Sequence, residues 1–114
     1  MSLAALIDEL LSERQLRPEG LNIWLALWGE IAVNPALRAE HLRLYRIYHA
    51  TFAAAIARQL GRAAPDATDE TLATALIALL DGIWLEFSIA PEEMSRAKAR
   101  AAVEALVQGP LSGG

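Results

Sequence analysis

The stretch 78–90, ALLDGIWLEFSIA, places an acid and a glycine side by side in the middle of a strongly apolar run. A glycine inside a helix costs about 1 kcal/mol relative to alanine, and a plain apolar core gains nothing from Asp81. The run belongs to a predicted helix that ends at about Ile89 and is apolar nearly all round. A helix of this kind is buried on several sides. The stretch therefore predicts a central helix in which Asp81 and Gly82 serve something other than the helix itself.

The composition of the whole chain is helical. Alanine and leucine dominate the 114 residues, and hydrophobic residues make up 54% against 21% charged, which argues against disorder. This length is sufficient for one domain with a hydrophobic core. The sequence therefore predicts a single all-α domain. Cysteine is absent, which excludes disulfides, thiolate zinc sites and thiol catalysis.

Apolar periodicity and helix breakers predict five helices in all. The first spans about residues 3–12, and the second begins at a first-turn proline and spans about residues 18–33. The third, about residues 35–60, has a capping side chain in Asn34 and a first-turn proline after it. Gly61 is placed to cap its carboxyl end.

The last two helices are predicted from their capping residues. Thr68 or Asp69 is expected to cap the fourth helix. Ser95 is expected to cap the fifth, an alanine-rich helix that ends near Val107. Residues 108–114, QGPLSGG, are predicted to form a flexible tail.

Charge and motif content argue against an enzyme. The chain contains no nucleophile-elbow pattern, phosphate-binding glycine loop or nucleotide fingerprint. His41 and His49 lie eight residues apart, without the spacing of a helical metal site. We therefore predict no catalytic residues, no metal site and no cofactor. The net charge is −4, whereas a nucleic-acid-binding domain normally carries a basic surface. The charge therefore argues against nucleic-acid binding by this chain.

The sequence predicts a cytoplasmic protein without a membrane partner. Its start lacks the positively charged leader and cleavage site of a signal peptide. Its longest uncharged apolar run, Thr71–Leu80, is too short to span a bilayer.

Aromatic side chains indicate a small-molecule pocket. They fall on faces of the second to fourth helices that are expected to be buried, and histidine and tyrosine add polar atoms to the same faces. Apolar walls with a few convergent polar groups are typical of ligand sites, and aromatic faces also suit a cation. The candidate ligand-binding residues, for an apolar or cationic effector, are Trp24, Trp28, His41, Tyr45, Tyr48 and Phe52. The alternative is an ordinary aromatic core.

Gly82 indicates a contact between two copies of the chain. A glycine lets another backbone approach closely, and Asp81 and Glu86 are then expected at the edge of the seam. Two copies that pair their fourth and fifth helices form a four-helix bundle with two-fold symmetry. The alternative is a monomer in which Gly82 accommodates a helix crossing within the chain.

Three motifs carry a resemblance to a known family. They are the spaced pair Trp24 and Trp28, the helix start NPAL at residues 34–37, and LIALLDGIWLE at residues 76–86. Over residues 3–107 the chain resembles the C-terminal domain of TetR-family transcriptional repressors, in particular the BetI-like branch. The resemblance implies an all-helical domain that binds an effector and forms a homodimer through its last two helices.

The resemblance also implies positions for the dimer contacts and for DNA binding. Carried over to this sequence, the interface falls on Leu76, Leu79, Leu80, Gly82, Ile83, Phe87, Ala99, Ala102, Val103 and Leu106. Members of the family begin with a helix-turn-helix head that reads the major groove. The expectation here is that this head is absent and that the chain does not bind operator DNA by itself. The alternative function is a stand-alone helical interaction or adaptor protein without a ligand pocket.

Overall fold

The computed structural model describes residues 2–112, and five helices account for most of them. They are α1 (Leu3–Leu10), α2 (Pro18–Val33), α3 (Pro35–Gln59), α4 (Ala67–Ile89) and α5 (Arg96–Ser112). The predicted all-α class and the number of helices are confirmed.

Both ends of α3 are capped as the sequence predicts. The Asn34 side chain accepts hydrogen bonds from the backbone N–H groups of Ala36 and Leu37. At the other end Gly61 has a φ of +78°, a left-handed conformation that glycine adopts without strain. The backbone N–H groups of residues 61 and 62 bond back to the carbonyls of residues 58 and 57, which is the Schellman arrangement.

The prediction that Thr68 or Asp69 caps α4 was wrong. Asp66 is the cap, and its carboxylate accepts from the Asp69 backbone N–H at 2.9 Å. Asp69 occupies the third helical position and accepts in return from the Asp66 N–H, which completes a capping box. Asp69 is 1% exposed and also binds the Arg62 guanidinium through two hydrogen bonds. These bonds from Arg62 lower the pKa of Asp69 to about 2.

Helix α5 begins as predicted and ends later. The Ser95 hydroxyl accepts from the Lys98 N–H at 3.1 Å. The helix continues to Ser112, so the tail that was predicted to be structureless is helical over residues 108–112. A proline close to a helix end removes one backbone donor, and here it does not stop the next residues from continuing the helix. Gly113 and Gly114 lie outside the described residues.

Helix α4 is the centre of the fold and packs against α2, α3 and α5. Its buried residues join those of α1, α3 and α5 in one hydrophobic core. By length and composition alone α4 could cross a membrane, and in this fold it packs against three other helices. The prediction of a central helix is confirmed.

Candidate functional site

A cavity of about 430 Å³ lies between α2, α3 and α4. Its size falls in the range of small-molecule sites. Two of its wall residues, Leu44 and Ile47, are about half exposed, so the cavity reaches the surface beside α3. The wall consists of Trp24, Trp28, His41, Leu44, Tyr45, Ile47, Tyr48, Thr51, Ile77, Asp81 and Trp84.

The structure brings together five of the six predicted ligand-binding residues. Trp24 and Trp28 come from α2, one helical turn apart, with their ring centroids separated by 4.5 Å. His41, Tyr45 and Tyr48 come from α3, and their spacing of four and three residues places them on one face.

Phe52 is the exception. It is 0% exposed and belongs to the core. Its ring packs edge-on against Tyr48 with a centroid separation of 5.0 Å. Phe52 continues the same face of α3 one turn further, where the helix has passed from the cavity wall into the packed interior. It supports Tyr48 from behind and does not line the cavity.

Helix α4 supplies wall residues that sequence reasoning did not assign to the site. They are Ile77, Asp81 and Trp84, and their spacing of four and three residues is that of one helix face. The Trp84 ring meets Trp24 edge-on at 5.6 Å, and its indole N–H donates to the Leu10 carbonyl at 3.4 Å. The i, i+4, i+7 spacing was the available signal, but it was hidden in a helix that is apolar on nearly all sides.

The expectation that Asp81 lies at the edge of a dimer seam is corrected. Asp81 lines the cavity, whereas Gly82 is exposed. Consecutive helical residues are separated by about 100° around the axis, so the acid and the glycine point in different directions. Asp81 and Gly82 therefore lie in different environments, and a single helix–helix contact does not explain the presence of both residues.

The polar groups of the cavity are perturbed by burial. Desolvation raises the pKa of Asp81 to about 6, and the positive charge of His41 acts in the opposite direction. Burial, with a further contribution from the charge of Asp81, raises the pKa of Tyr48. The Tyr48 hydroxyl is buried and has no hydrogen-bond partner within the described residues. A buried polar group without a partner is unusual in a native structure.

His49 has a structural environment different from that of His41. Its Nε2 atom lies 2.9 Å from the Thr74 hydroxyl and 3.1 Å from the Glu70 carbonyl oxygen. These contacts join α3 to the first half of α4, away from the cavity.

The structure divides the predicted interface residues into two groups. Leu79, Phe87, Ala102 and Leu106 are half-buried, and Gly82 is exposed. The other five already lie in the core of the chain and have no side-chain surface to offer a second copy. They are Leu76, Leu80, Ile83, Ala99 and Val103. These five lie on the inward-facing sides of α4 and α5, and the interface as a whole stays a prediction.

A different face of α4 is exposed over four of its five residues, and the fifth, Ala75, is half-buried. It is formed by Ala75, Ala78, Gly82, Glu86 and Ile89, whose spacing of three and four residues follows one stripe along the helix. A Cβ atom added at Gly82 meets no atom within 4 Å. Gly82 therefore does not accommodate a helix crossing within the described chain, which was the alternative explanation. We call these five residues the outer face of α4.

Comparison with known proteins assigns the chain to a family. The model of the BetI-type transcriptional repressor C-terminal domain matches residues 2–111. The chain belongs to the BetI-type branch of the TetR family. The resemblance inferred from the tryptophan pair and the LIALLDGIWLE segment is thereby confirmed.

Curated relatives of this BetI-type chain are transcriptional regulators. The chain is 29% identical over 99 residues to the HTH-type transcriptional regulator BetI 2 of Chromohalobacter salexigens, covering 86% of this chain and 45% of the relative. It is 30% identical over 98 residues to the regulator BetI of Ectopseudomonas mendocina, covering 86% and 48% respectively. The chain thus spans about half the length of these relatives. No solved structure matches it significantly.

Removing the charge of Asp81 is expected to stabilise this BetI-type chain at neutral and alkaline pH. The pKa of Asp81 in the folded chain lies above its ordinary value of 3.8. Its contribution to stability is therefore fully present below about pH 4 and is lost as the pH rises through about 6. At about pH 8, Asp81→Asn should raise the melting temperature by roughly 2–5 °C, a figure reduced for partial solvent screening.

The measurement is thermal unfolding followed by circular dichroism at several pH values. The difference between Asp81→Asn and the parent chain should shrink as the pH falls from about 6 to about 4, below which Asp81 is protonated in both the folded and the unfolded chain. Glu86→Gln, on the exposed side of the same helix, is the matched control and should show no such pH-dependent gain. A gain for Asp81→Asn that does not vary with pH would contradict the assignment of a desolvated carboxyl.

Proposed function

We propose that this chain is the effector-binding and dimerisation domain of a TetR-family transcriptional repressor. The observation that carries the proposal is the cavity of about 430 Å³, with aromatic walls and a few polar groups. The proposed effector is a small molecule of apolar or cationic character, since the tryptophan faces suit both.

The position of α4 supports a coupling between ligand and dimer. One face of this helix supplies Ile77, Asp81 and Trp84 to the cavity, and a different face is the outer face that includes Gly82. A ligand that favours one position of α4 therefore also favours one arrangement of a two-fold helical bundle. Coupling between two sites of a protein is typically worth roughly 1–3 kcal/mol.

DNA recognition belongs, in this proposal, to a part of the regulator outside these 114 residues. The matched family model is that of a C-terminal domain, and the relatives are about twice as long as the matched region. The proposed place of action is the cytoplasm, because a transcription regulator works where the DNA is. The adaptor alternative would use the same outer face and would bind no small molecule.

The chain carries its own reporter for testing the sensing role. All three of its tryptophans line the cavity, so a bound molecule changes their fluorescence directly. A panel of small apolar and cationic compounds should therefore contain members that quench this fluorescence and raise the melting temperature. A panel in which no compound does either, at millimolar concentration, would favour the adaptor alternative.

Two variants of neighbouring residues test whether the ligand binds in the cavity. Trp28→Ala should weaken the best ligand by about tenfold, because a large ring surface is lost from the wall. Leu27→Ala is the matched control, since Leu27 is the preceding residue, is 48% exposed and does not line the cavity. Equal losses for both variants would place the ligand elsewhere.

A further inference from the structure

Within the described residues the Asp81 carboxylate lacks a direct polar partner, and His41 is the lining residue whose positive charge acts on it. Among the described lining residues, Asp81 is the only acid, and neither lysine nor arginine is present. Within residues 2–112 no hydrogen bond or ion pair to the half-buried Asp81 carboxylate is found. A carboxylate held away from water is stabilised only by a facing cation or by hydrogen-bond donors. The missing partner of Asp81 is therefore a group that a ligand can bring.

A second group on the same wall has the same need. The Tyr48 hydroxyl is buried without a hydrogen-bond partner in the described part of the chain, although a phenol both donates and accepts. Tyr48 and Asp81 line the same cavity from the neighbouring helices α3 and α4. One ligand atom that carries several N–H groups is able to serve both.

The rest of the wall suits a cation with a hydrocarbon body. Trp24, Trp28 and Trp84 present ring surfaces to the cavity, and Trp24 contacts both of the other two. Indole faces attract ammonium groups through the ring quadrupole and also bury alkyl or aryl surface.

We propose that the cavity recognises a protonated amine, whose N–H groups donate to the Asp81 carboxylate and the Tyr48 hydroxyl while its hydrocarbon part lies against the tryptophans. This inference rests on the proposed sensing role and adds the ligand class and the two residues that determine specificity. A neutral alcohol of the same shape satisfies Tyr48 but leaves Asp81 without a counter-charge. A quaternary ammonium supplies the charge but has no N–H to donate.

The titratable groups around Asp81 set how this binding depends on pH. Helix α3 contributes His41, Tyr45 and Tyr48 to the wall, whereas the lining residues of α2 are tryptophans that do not titrate. Protonation of Asp81 removes the counter-charge of the amine, so amine binding weakens as the pH falls through about 6. His41 faces Asp81 in the same wall, and His41→Gln therefore isolates the contribution of the carboxylate.

The test compares three probes of one shape on the full chain by isothermal titration calorimetry at about pH 7.5. The probes are benzylamine, benzyl alcohol and benzyltrimethylammonium. Benzylamine is expected to bind at least about tenfold more tightly than either of the others, as a charged hydrogen-bonded contact implies. Asp81→Asn should remove the advantage of benzylamine over benzyl alcohol. Tyr48→Phe should weaken benzylamine by a few-fold, and in His41→Gln the loss of amine binding at low pH should persist.

The following results would overturn the assignment. Equal affinity for benzylamine and benzyl alcohol, or an unchanged ratio in Asp81→Asn, removes the role of the carboxylate. A quaternary ammonium that binds as tightly as the amine removes the role of the N–H groups. If none of the three probes binds while other compounds quench the tryptophans, this inference fails and the sensing role stands. If no compound quenches them, both fail. Circular dichroism of Asp81→Asn excludes unfolding as the cause of any loss.

Discussion

Replacing Phe52 with alanine is expected to lower the free energy of unfolding by about 3–5 kcal/mol. The side chain is fully buried in the core shared by α1, α3, α4 and α5. Its removal leaves a void that the surrounding helices fill only in part, and the edge-on contact with Tyr48 is lost as well. A loss of this size is a large share of the stability of a small domain.

Urea-induced unfolding, followed by circular dichroism, measures this loss. Phe52→Leu is the control, because it keeps most of the buried volume and should cost roughly 1–1.5 kcal/mol. A cost below about 1 kcal/mol for Phe52→Ala would contradict the placement of this ring in the core. Such a small loss of unfolding free energy is what we would expect if Phe52 only lined an open cavity.

Gly82→Arg is expected to convert the proposed dimer to monomers, with the dissociation constant raised by at least about a hundredfold. Inside one chain the new side chain enters open space, since a Cβ at this position meets no atom within 4 Å. In a two-fold dimer the same substitution places two long, like-charged side chains in the centre of the seam, where they clash and are desolvated. The monomer should therefore stay folded while association is lost.

Analytical ultracentrifugation over a micromolar concentration range decides this prediction. Gly29→Arg is the matched control, because Gly29 is also an exposed helical glycine with open space around it but lies on α2. It should leave the dimer intact. A parent chain that stays monomeric at these concentrations, or a Gly82→Arg variant that still dimerises, would show that the outer face of α4 is not the seam.

Local sequence signals were sufficient for the framework of the fold. Asn34, Gly61 and Ser95 cap helices as predicted, because each cap depends on a side chain or backbone conformation a few residues from the helix end. The cap of α4 was misplaced by two or three residues, since threonine and aspartate are both good caps and several of them lie around the start of the helix. Only the reciprocal bonds between Asp66 and Asp69 select one of them.

The sequence by itself determined five helices, a central α4 and the cluster of aromatic residues on α2 and α3 that faces the cavity. The tertiary structure alone decided which neighbour each face of α4 meets. In a helix that is apolar nearly all round, periodicity does not distinguish the side that packs in the core from the side that lines a cavity or stays open. Asp81 was therefore assigned to a seam although it lines the cavity, and Leu80 was assigned to a seam although it lies in the core. The neighbour of each face of α4 depends on how α2, α3 and α5 pack around this helix. That packing consists of contacts between residues far apart in the chain, which local periodicity does not record.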